Sequence, residues 1–253
     1  MLSSAANERI KEILLLETKA KARRETGLFV VEGRRLVSEV PEEALKQLYM
    51  TEAFRESPEG ELLSRKGPVE LVTPELMEKI ADTKSPQGVL AVVRQRLRAS
   101  FPEKGLLLVL ERVQDPGNLG TIFRSAEAAG AAGILMDTET ADPCQPKVVR
   151  GTMGAIFRLP FLVTEDLPGE VRRREAAGYT AFAAHLKGEK YYHQLAYPQN
   201  SMILLGNEGN GLSEELTALA QVKIRIPMEG RAESLNVAVA GALLAYEYHR
   251  QWF

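Results

Sequence analysis

The sequence contains one cysteine, Cys144, and three histidines, His185, His193 and His249, in 253 residues. A lone thiol builds neither a disulfide framework nor a cysteine-based metal cluster, and histidines this scattered do not suggest a zinc site. Both features predict a metal-free protein of a reducing, cytoplasmic compartment. Long apolar runs are missing too: Leu106 to Leu110 falls far short of the roughly 20 residues that cross a bilayer, so no membrane partner is expected. The opening MLSSAANERIKE turns charged too early for a signal peptide. Excess charge of either sign is also absent, since 32 Lys and Arg meet 34 Asp and Glu for a formal net of −2. That balance excludes a strongly basic protein and, taken alone, argues against a nucleic-acid partner.

What is present fits an ordinary folded domain: 45% hydrophobic and 26% charged residues, in a length suited to one large or two small domains. GVLAVVRQRLR reads as a strand with a polar end in which Arg94, Arg96 and Arg98 share one face, and ASFPEKG then supplies turn formers. A boundary near Phe101 follows, dividing the chain into 1–100 and 101–253. The halves are separately balanced, with 17 basic and 16 acidic residues in the first and 15 and 18 in the second. The first half reads as a helix over 6–24, the strand LFVVE, a helix from Arg34, a strand at QLYMTE, a helix near 53–66, a strand at VELV, a helix near 74–82 and a strand at GVLAVV. Such alternation predicts helices on a mostly parallel sheet. The second half repeats the rhythm, with buried strands at LLLVL, GILM, 180–184, MILL and VKIRI. Its last helix, Leu235 to Tyr248, carries two apolar stripes, one through Val239 and Tyr246 and one through Val237 and Leu244. A helix apolar on two sides is expected to pack on its own sheet and on a second subunit.

Three loops after strands carry the chemistry. In ERVQDPGNLGTIFRSAEAAG (111–130), Asp115-Pro116-Gly117 makes a turn, Asn118 suits a helix N-cap, and Arg124 stands off the buried stripe Leu119, Ile122, Phe123 and Ala126. There Arg124 is either a solvated surface residue or a fork for phosphate oxygens at the mouth of the strand ends. In LLGNEGNGLSEEL (204–216), closely spaced glycines let backbone approach a ligand, Ser213 caps the next helix, and Glu208 can hold the loop's shape. The loop is neither a Walker motif nor G-x-G-x-x-G, which excludes nucleoside triphosphate binding of that kind and a dinucleotide dehydrogenase. In IRIPMEGRAESLNVAVAGALLAYE (224–247), Ser234 reads as an N-cap, while Asn236 needs hydrogen-bond partners at the start of an apolar helix.

Together the pattern Asn118-x-Gly120-x-x-x-Arg124-x-Ala126, the run Leu205-Gly206-Asn207-Glu208 with Gly211, and Ile226-Pro227-Met228 followed by Ser234-Leu235-Asn236-Val237 resemble the SpoU/TrmH family. These are RNA ribose 2′-O-methyltransferases of the SPOUT superfamily. PKVVRGTMGAIFRLPF (146–161) is similar to the segment between that family's first two motifs, and LFVVEGRRLVSE with SPQGVLAVV to its substrate-binding domain. The resemblance spans nearly the whole chain; Ala238 departs from it, standing where many relatives carry serine.

The resemblance implies an α/β fold: a C-terminal domain with a mostly parallel sheet and a deep trefoil knot, and a smaller N-terminal α/β domain similar to some ribosomal proteins. It implies S-adenosylmethionine as cofactor, held by Leu205, Gly206, Glu208, Gly211, Ile226, Met228, Leu235 and Asn236, and a homodimer through the C-terminal domain. The implied reaction is attack of a ribose 2′-hydroxyl on the activated methyl, with Arg124, Asn118, Ser234 and Asn236 at the catalytic centre. A guanidinium holds its proton too tightly to serve alone as a base, so Arg124 is expected to clamp a phosphate. Structured RNA, ribosomal before transfer RNA, is the implied substrate. Lys19, Arg23, Arg24, Arg34 and Arg35, with Lys21, are the implied RNA contacts of the first domain; the alternative for each is a solvated helix face. A non-catalytic RNA-binding or assembly protein on the same fold is the competing reading.

Overall fold

Capped helices and short apolar strands alternate along the chain. A computed structural model describes residues 1–95 and 101–253. In order these are α1 (Glu8–Thr18), α2 (Ala20–Thr26), β1 (Leu28–Glu32), α3 (Arg34–Glu39), β2 (Leu45–Met50), α4 (Glu52–Arg55), α5 (Pro58–Ser64), β3 (Val69–Leu71), α6 (Pro74–Ile80) and β4 (Val89–Arg94). There follow β5 (Gly105–Leu110), α7 (Pro116–Ala128), β6 (Gly133–Asp137), α8 (Pro146–Thr152), α9 (Ala155–Arg158), β7 (Phe161–Thr164), α10 (Leu167–Ala176) and β8 (Thr180–Ala184). Last come β9 (Lys190–Tyr191), β10 (Asn200–Leu205), α11 (Glu214–Leu219), β11 (Val222–Arg225) and α12 (Val237–Trp252). The chain falls into two units, Met1–Leu97 with Asp142–Phe157, and Arg98–Ala141 with Arg158–Phe253. None of the described helices is long and apolar enough to cross a membrane.

In the first unit the helix expected over 6–24 is two helices, broken at an extended Lys19. The break is stabilised by Arg23, whose Nη1 donates to the Leu16 and Glu17 carbonyls that α1 leaves unpaired at its end. The sheet runs β1-β4-β2-β3, and here the expectation of a mostly parallel sheet is corrected. β2 and β3 are parallel, but β4 is antiparallel to both of its neighbours. The cause is local. Buried Glu32, at the end of β1, accepts the backbone N–H groups of Asp82 and Thr83 and the Thr83 hydroxyl. The link after α6 is thereby held at the C-terminal end of β1, where β4 sets out antiparallel to it.

The segment 142–157 also departs from a linear division at 101, because it belongs to the first unit. Phe157 stacks on Phe29 of β1 with ring centroids 6.3 Å apart. Arg23 Nε meets Asp142 at 2.7 Å and Arg150 meets Asp82 at 2.5 Å. Glu17 lies among these groups. Burial, reinforced by the Asp82 and Glu32 carboxylates, pushes its carboxyl up to about 8 against the pull of Arg150 and Arg23.

The second unit is a seven-stranded, wholly parallel sheet ordered β7-β6-β5-β10-β8-β11-β9. Leu106 to Leu110 and Met202 to Leu205 are buried at its centre, as continuous apolar runs demand. β7 and β9 lie at its two edges. Neither was expected from the sequence: β9 is only Lys190–Tyr191, and β7, although its FLVT is apolar, is only partly buried.

A carboxyl raised by folding disfavours the folded state increasingly as pH climbs from its ordinary range through its raised value. Glu17→Gln removes that penalty. The variant is expected to match wild type in thermal melts near pH 4 and to melt higher by about 5 °C or more at pH 8.5, at about 2–4 °C per kcal/mol. Equal melting temperatures of variant and wild type at both pH values would contradict the assignment.

Candidate active site

Open α/β sheets bind ligands beyond the C-terminal ends of their strands. Three loops gather there in the second unit, following β5, β10 and β11. Two corrections to the expected capping explain how they are joined. The N-cap of α7 is Asp115, not Asn118: its Oδ1 accepts the Asn118 N–H at 2.8 Å, with Pro116 in the first turn. The N-cap of α12 is Asn236, not Ser234: its Oδ1 accepts from Ala238 and Val239. Relieved of capping, Asn118 bridges. Its Nδ2 donates to Glu208 Oε1 at 2.9 Å, and its Oδ1 accepts Asn236 Nδ2 at 2.8 Å. A continuous chain Glu208–Asn118–Asn236 thus links all three loops.

Glu208 also accepts the backbone N–H groups of Gln114 at 3.4 Å and Asp115 at 3.3 Å. Burial works to raise its carboxyl, but the hydrogen bonds from Asn118 and the backbone outweigh it and hold the group below the usual carboxylate range. Ser213 caps α11 as expected, and its N–H reaches Glu111 Oε2 at 2.6 Å.

Several positioning residues were not expected. Asn207 Oδ1 accepts from Gly209 and Asn210 to shape the turn, and its Nδ2 donates to the Arg112 carbonyl at 2.8 Å. Arg112 has the left-handed φ of 53°, uncommon for a side chain of its size. Its N–H is held by the Asp137 carboxylate at 3.0 Å and 3.2 Å, and that carboxylate also binds Thr140. An Asx turn at Asn207-Glu208-Gly209 is legible in sequence; the distant partner Asp137 has no local signal.

The remaining expected residues fall around this chain. Leu205 is buried at the end of β10 and Gly206 follows it. An added Cβ at Gly206 would lie 2.2 Å from the Gly211 carbonyl carbon, so the loop doubles back on itself there. Ile226, Met228 and Leu235 are half-buried, and Ser234 is exposed with no hydrogen bond among the described residues. Arg124 is exposed on α7, off the buried stripe, and forms no ion pair among the described residues. In the first unit Lys19, Arg24, Arg34 and Arg35 are exposed, with Arg34 3.5 Å from Glu59 and Lys21 3.7 Å from Glu25. Arg23 leaves the set of RNA contacts: it is 4% exposed, its guanidinium committed to Asp142 and to helix carbonyls. Arg96 and Arg98, aligned with Arg94 by alternation, lie outside the described residues.

The family model described as SpoU rRNA Methylase matches residues 105–246, more than half the chain. The chain belongs to the SpoU rRNA methylase family. A second model, the MRM3-like substrate binding domain, matches residues 7–91. Among SpoU-family relatives, the 23S rRNA (guanosine(2553)-2′-O)-methyltransferase RlmP of Bacillus subtilis is 32% identical over 97% of each chain. An rRNA methyltransferase from Sinorhizobium meliloti, solved with AdoMet bound, superposes with a TM-score of 0.88 at 35% identity over 100% of this chain and 98% of that one. The SpoU methyltransferase AviRb of Streptomyces viridochromogenes, solved in complex with the cofactor AdoMet, gives 0.85 at 30% identity, covering 97% of this chain and 98% of its own.

In this SpoU-family site Glu208 contributes order only while ionised, so its contribution is lost as pH falls through its lowered value. Glu208→Ala is expected to loosen the 206–211 loop by roughly 1 kcal/mol after solvent screening. Hydrogen exchange at the amides of Gly209, Asn210 and Gly211 reads this as about fivefold faster opening. Unchanged exchange would show that the carboxylate does not hold the loop.

Proposed function

We propose that this protein transfers a methyl group from S-adenosylmethionine to a ribose 2′-hydroxyl of ribosomal RNA. The observation that carries the reading is the Glu208–Asn118–Asn236 chain, which joins the three motif loops at one end of a parallel sheet. The relative named for 23S rRNA 2′-O-methylation and the neighbours solved with AdoMet support the substrate class and the cofactor.

The residues present fit that cofactor. An added Cβ at Gly211 or Gly230 meets nothing within 4 Å, leaving backbone open to close approach. Half-buried Ile226, Met228 and Leu235 offer an apolar bed for an adenine, with Leu205 and Gly206 beneath the loop. The 205–216 loop carries carboxylates and no lysine or arginine, a charge balance compatible with a cationic ligand. When bound, S-adenosylmethionine supplies an activated methyl group.

In this reading Glu208 holds the 206–211 loop around the cofactor. Asn118 and Asn236, fixed by each other, orient the ribose, and Ser234 closes the same side. Arg124, without an ion pair among the described residues, clamps the phosphate next to the reacting hydroxyl with its planar fork. The first unit grips RNA through exposed Lys19, Arg24, Arg34 and Arg35. The second unit takes the trefoil knot of its family, and the enzyme works as a cytoplasmic homodimer. Support for the dimer comes from α12, where Val239, Leu243 and Tyr246 form a row 48%, 39% and 48% exposed, at the spacing of one helix face.

Isothermal titration is expected to show S-adenosylmethionine binding, and rRNA incubated with labelled cofactor to gain label at ribose 2′-oxygens. Failure of both removes the enzyme reading in favour of a non-catalytic RNA-binding protein. Arg124→Ala is expected to bind cofactor normally while turning over about 100-fold or more slowly; near wild-type turnover would take Arg124 out of the site. Sedimentation at micromolar concentration should give a dimer, and Val239→Glu with Tyr246→Glu a monomer. A monomeric wild type ends the dimer reading.

A further inference from the structure

β11 runs directly into the 226–236 loop, and its outer neighbour β9 forms the edge of the sheet. The two pair in parallel with Ile224 opposite Lys190 and Arg225 opposite Tyr191. Residues in register share a face, and alternation returns Lys223 to the face of Arg225, while Ile224 between them is buried. Gly188 permits the turn into β9 to lie this close, since an added Cβ would stand 2.6 Å from the Ile224 carbonyl carbon.

Cationic and aromatic groups are preassembled on that face. The Arg225 guanidinium lies 4.5 Å from the centroid of the Tyr191 ring, and its Nη2 donates to Tyr191 Oη at 3.0 Å. His193 stacks on Tyr191 with centroids 5.8 Å apart and planes 10° from parallel, and Tyr192 meets His193 edge-on. Residues 185–193 and 222–225 hold Lys187, Lys190, Lys223 and Arg225 against a single acid, Glu189. Neither Lys223 nor Arg225 forms an ion pair among the described residues. Glu247, whose charge reaches His193 from α12, is already bound by Arg250 and Gln251.

Lysines alone would be explained as charges that blunt a sheet edge. A guanidinium, a phenol ring and an imidazole stacked together are not needed for that. They match the two requirements of unpaired RNA, a π-face for a base and cations for its phosphates, with little ordering left to be done on binding. Arg225 is three residues from Met228, a reach of at most about 10 Å.

We propose that Tyr191, His193, Lys223 and Arg225 form a binding platform for an unpaired nucleotide flanking the one that is methylated. Its base stacks on the Tyr191–His193 pair and its phosphates meet Arg225 and Lys223. The proposal deepens the RNA reading above and rests on it for the identity of the ligand, whereas the platform itself is a separate physical claim.

The test uses the full-length protein, an unmodified 23S rRNA transcript and labelled S-adenosylmethionine. Tyr191→Ala is expected to raise the KM for RNA about tenfold. Lys223→Glu with Arg225→Glu should do the same and flatten the salt dependence of RNA binding by about 1.4 in log–log slope, at about 0.7 per single-strand phosphate contact. Cofactor affinity by calorimetry should not change. A wild type that methylates the transcript while these variants keep its KM and salt slope within twofold overturns the platform. Should Tyr191→Ala fold poorly, exposed His193→Ala gives the same readout, and ultraviolet cross-linking of the wild-type complex should map to the peptide containing Tyr191–His193. Cross-links confined to other peptides overturn the proposal as well. A wild type that binds and cross-links RNA through this peptide but transfers no methyl group refutes the enzyme reading and leaves the platform standing.

Discussion

A carboxylate that must stay ionised organises the second unit. Glu208 accepts from the backbone at Gln114 and Asp115 and from the Asn118 amide, so the loop after β10 shapes the loop after β5. Protonation would set a hydroxyl donor among these three N–H groups and weaken their charge-assisted bonds. The Asn118 carbonyl end, turned outward by the same interaction, accepts the Asn236 amide and orders the entry to α12. Each asparagine divides its two ends between neighbours. That is feasible because Asp115 and the Asn236 oxygen have taken over the capping of α7 and α12.

A second constraint supports the first. Arg112 occupies a left-handed backbone conformation, which costs of order 1 kcal/mol for such a residue. Its N–H is anchored by Asp137 and its carbonyl by Asn207. Strain at Arg112 is therefore retained by side chains from the ends of β6 and β10, next to the loops that resemble the family's motifs. The first unit follows similar logic with Glu32, a buried carboxylate that holds Asp82 and Thr83 at the end of β1, from which β4 runs antiparallel.

Net charge proved a poor guide to partner. A balance of −2 averages over surfaces that the fold separates. Arg23 is drawn inside to Asp142, while Lys223 and Arg225 share one face and form no ion pair among the described residues. Recognition responds to such local fields and not to the total.

Much of the architecture was legible in the chain itself. Continuous apolar runs marked β5 and β10 as buried parallel strands, Ser213 declared the start of α11, and three ordered motifs pointed to the family that the comparisons establish. Those signals are local, and local signals survive in one dimension. The sequence could not show that Asn118 bridges where it looked like a cap, that Arg23 is buried, that β4 runs backwards, or that 142–157 joins the first unit. Each depends on a partner distant in the chain: Glu208 and Asn236, Asp142, Glu32, and Phe29 with Asp82. Residue types and their spacing determined the strands, the caps and the chemistry available. The tertiary structure alone decided which hydrogen-bonding ends are spent on holding the chain and which remain for a substrate, because a side chain's role is settled by what lies within about 3 Å of it.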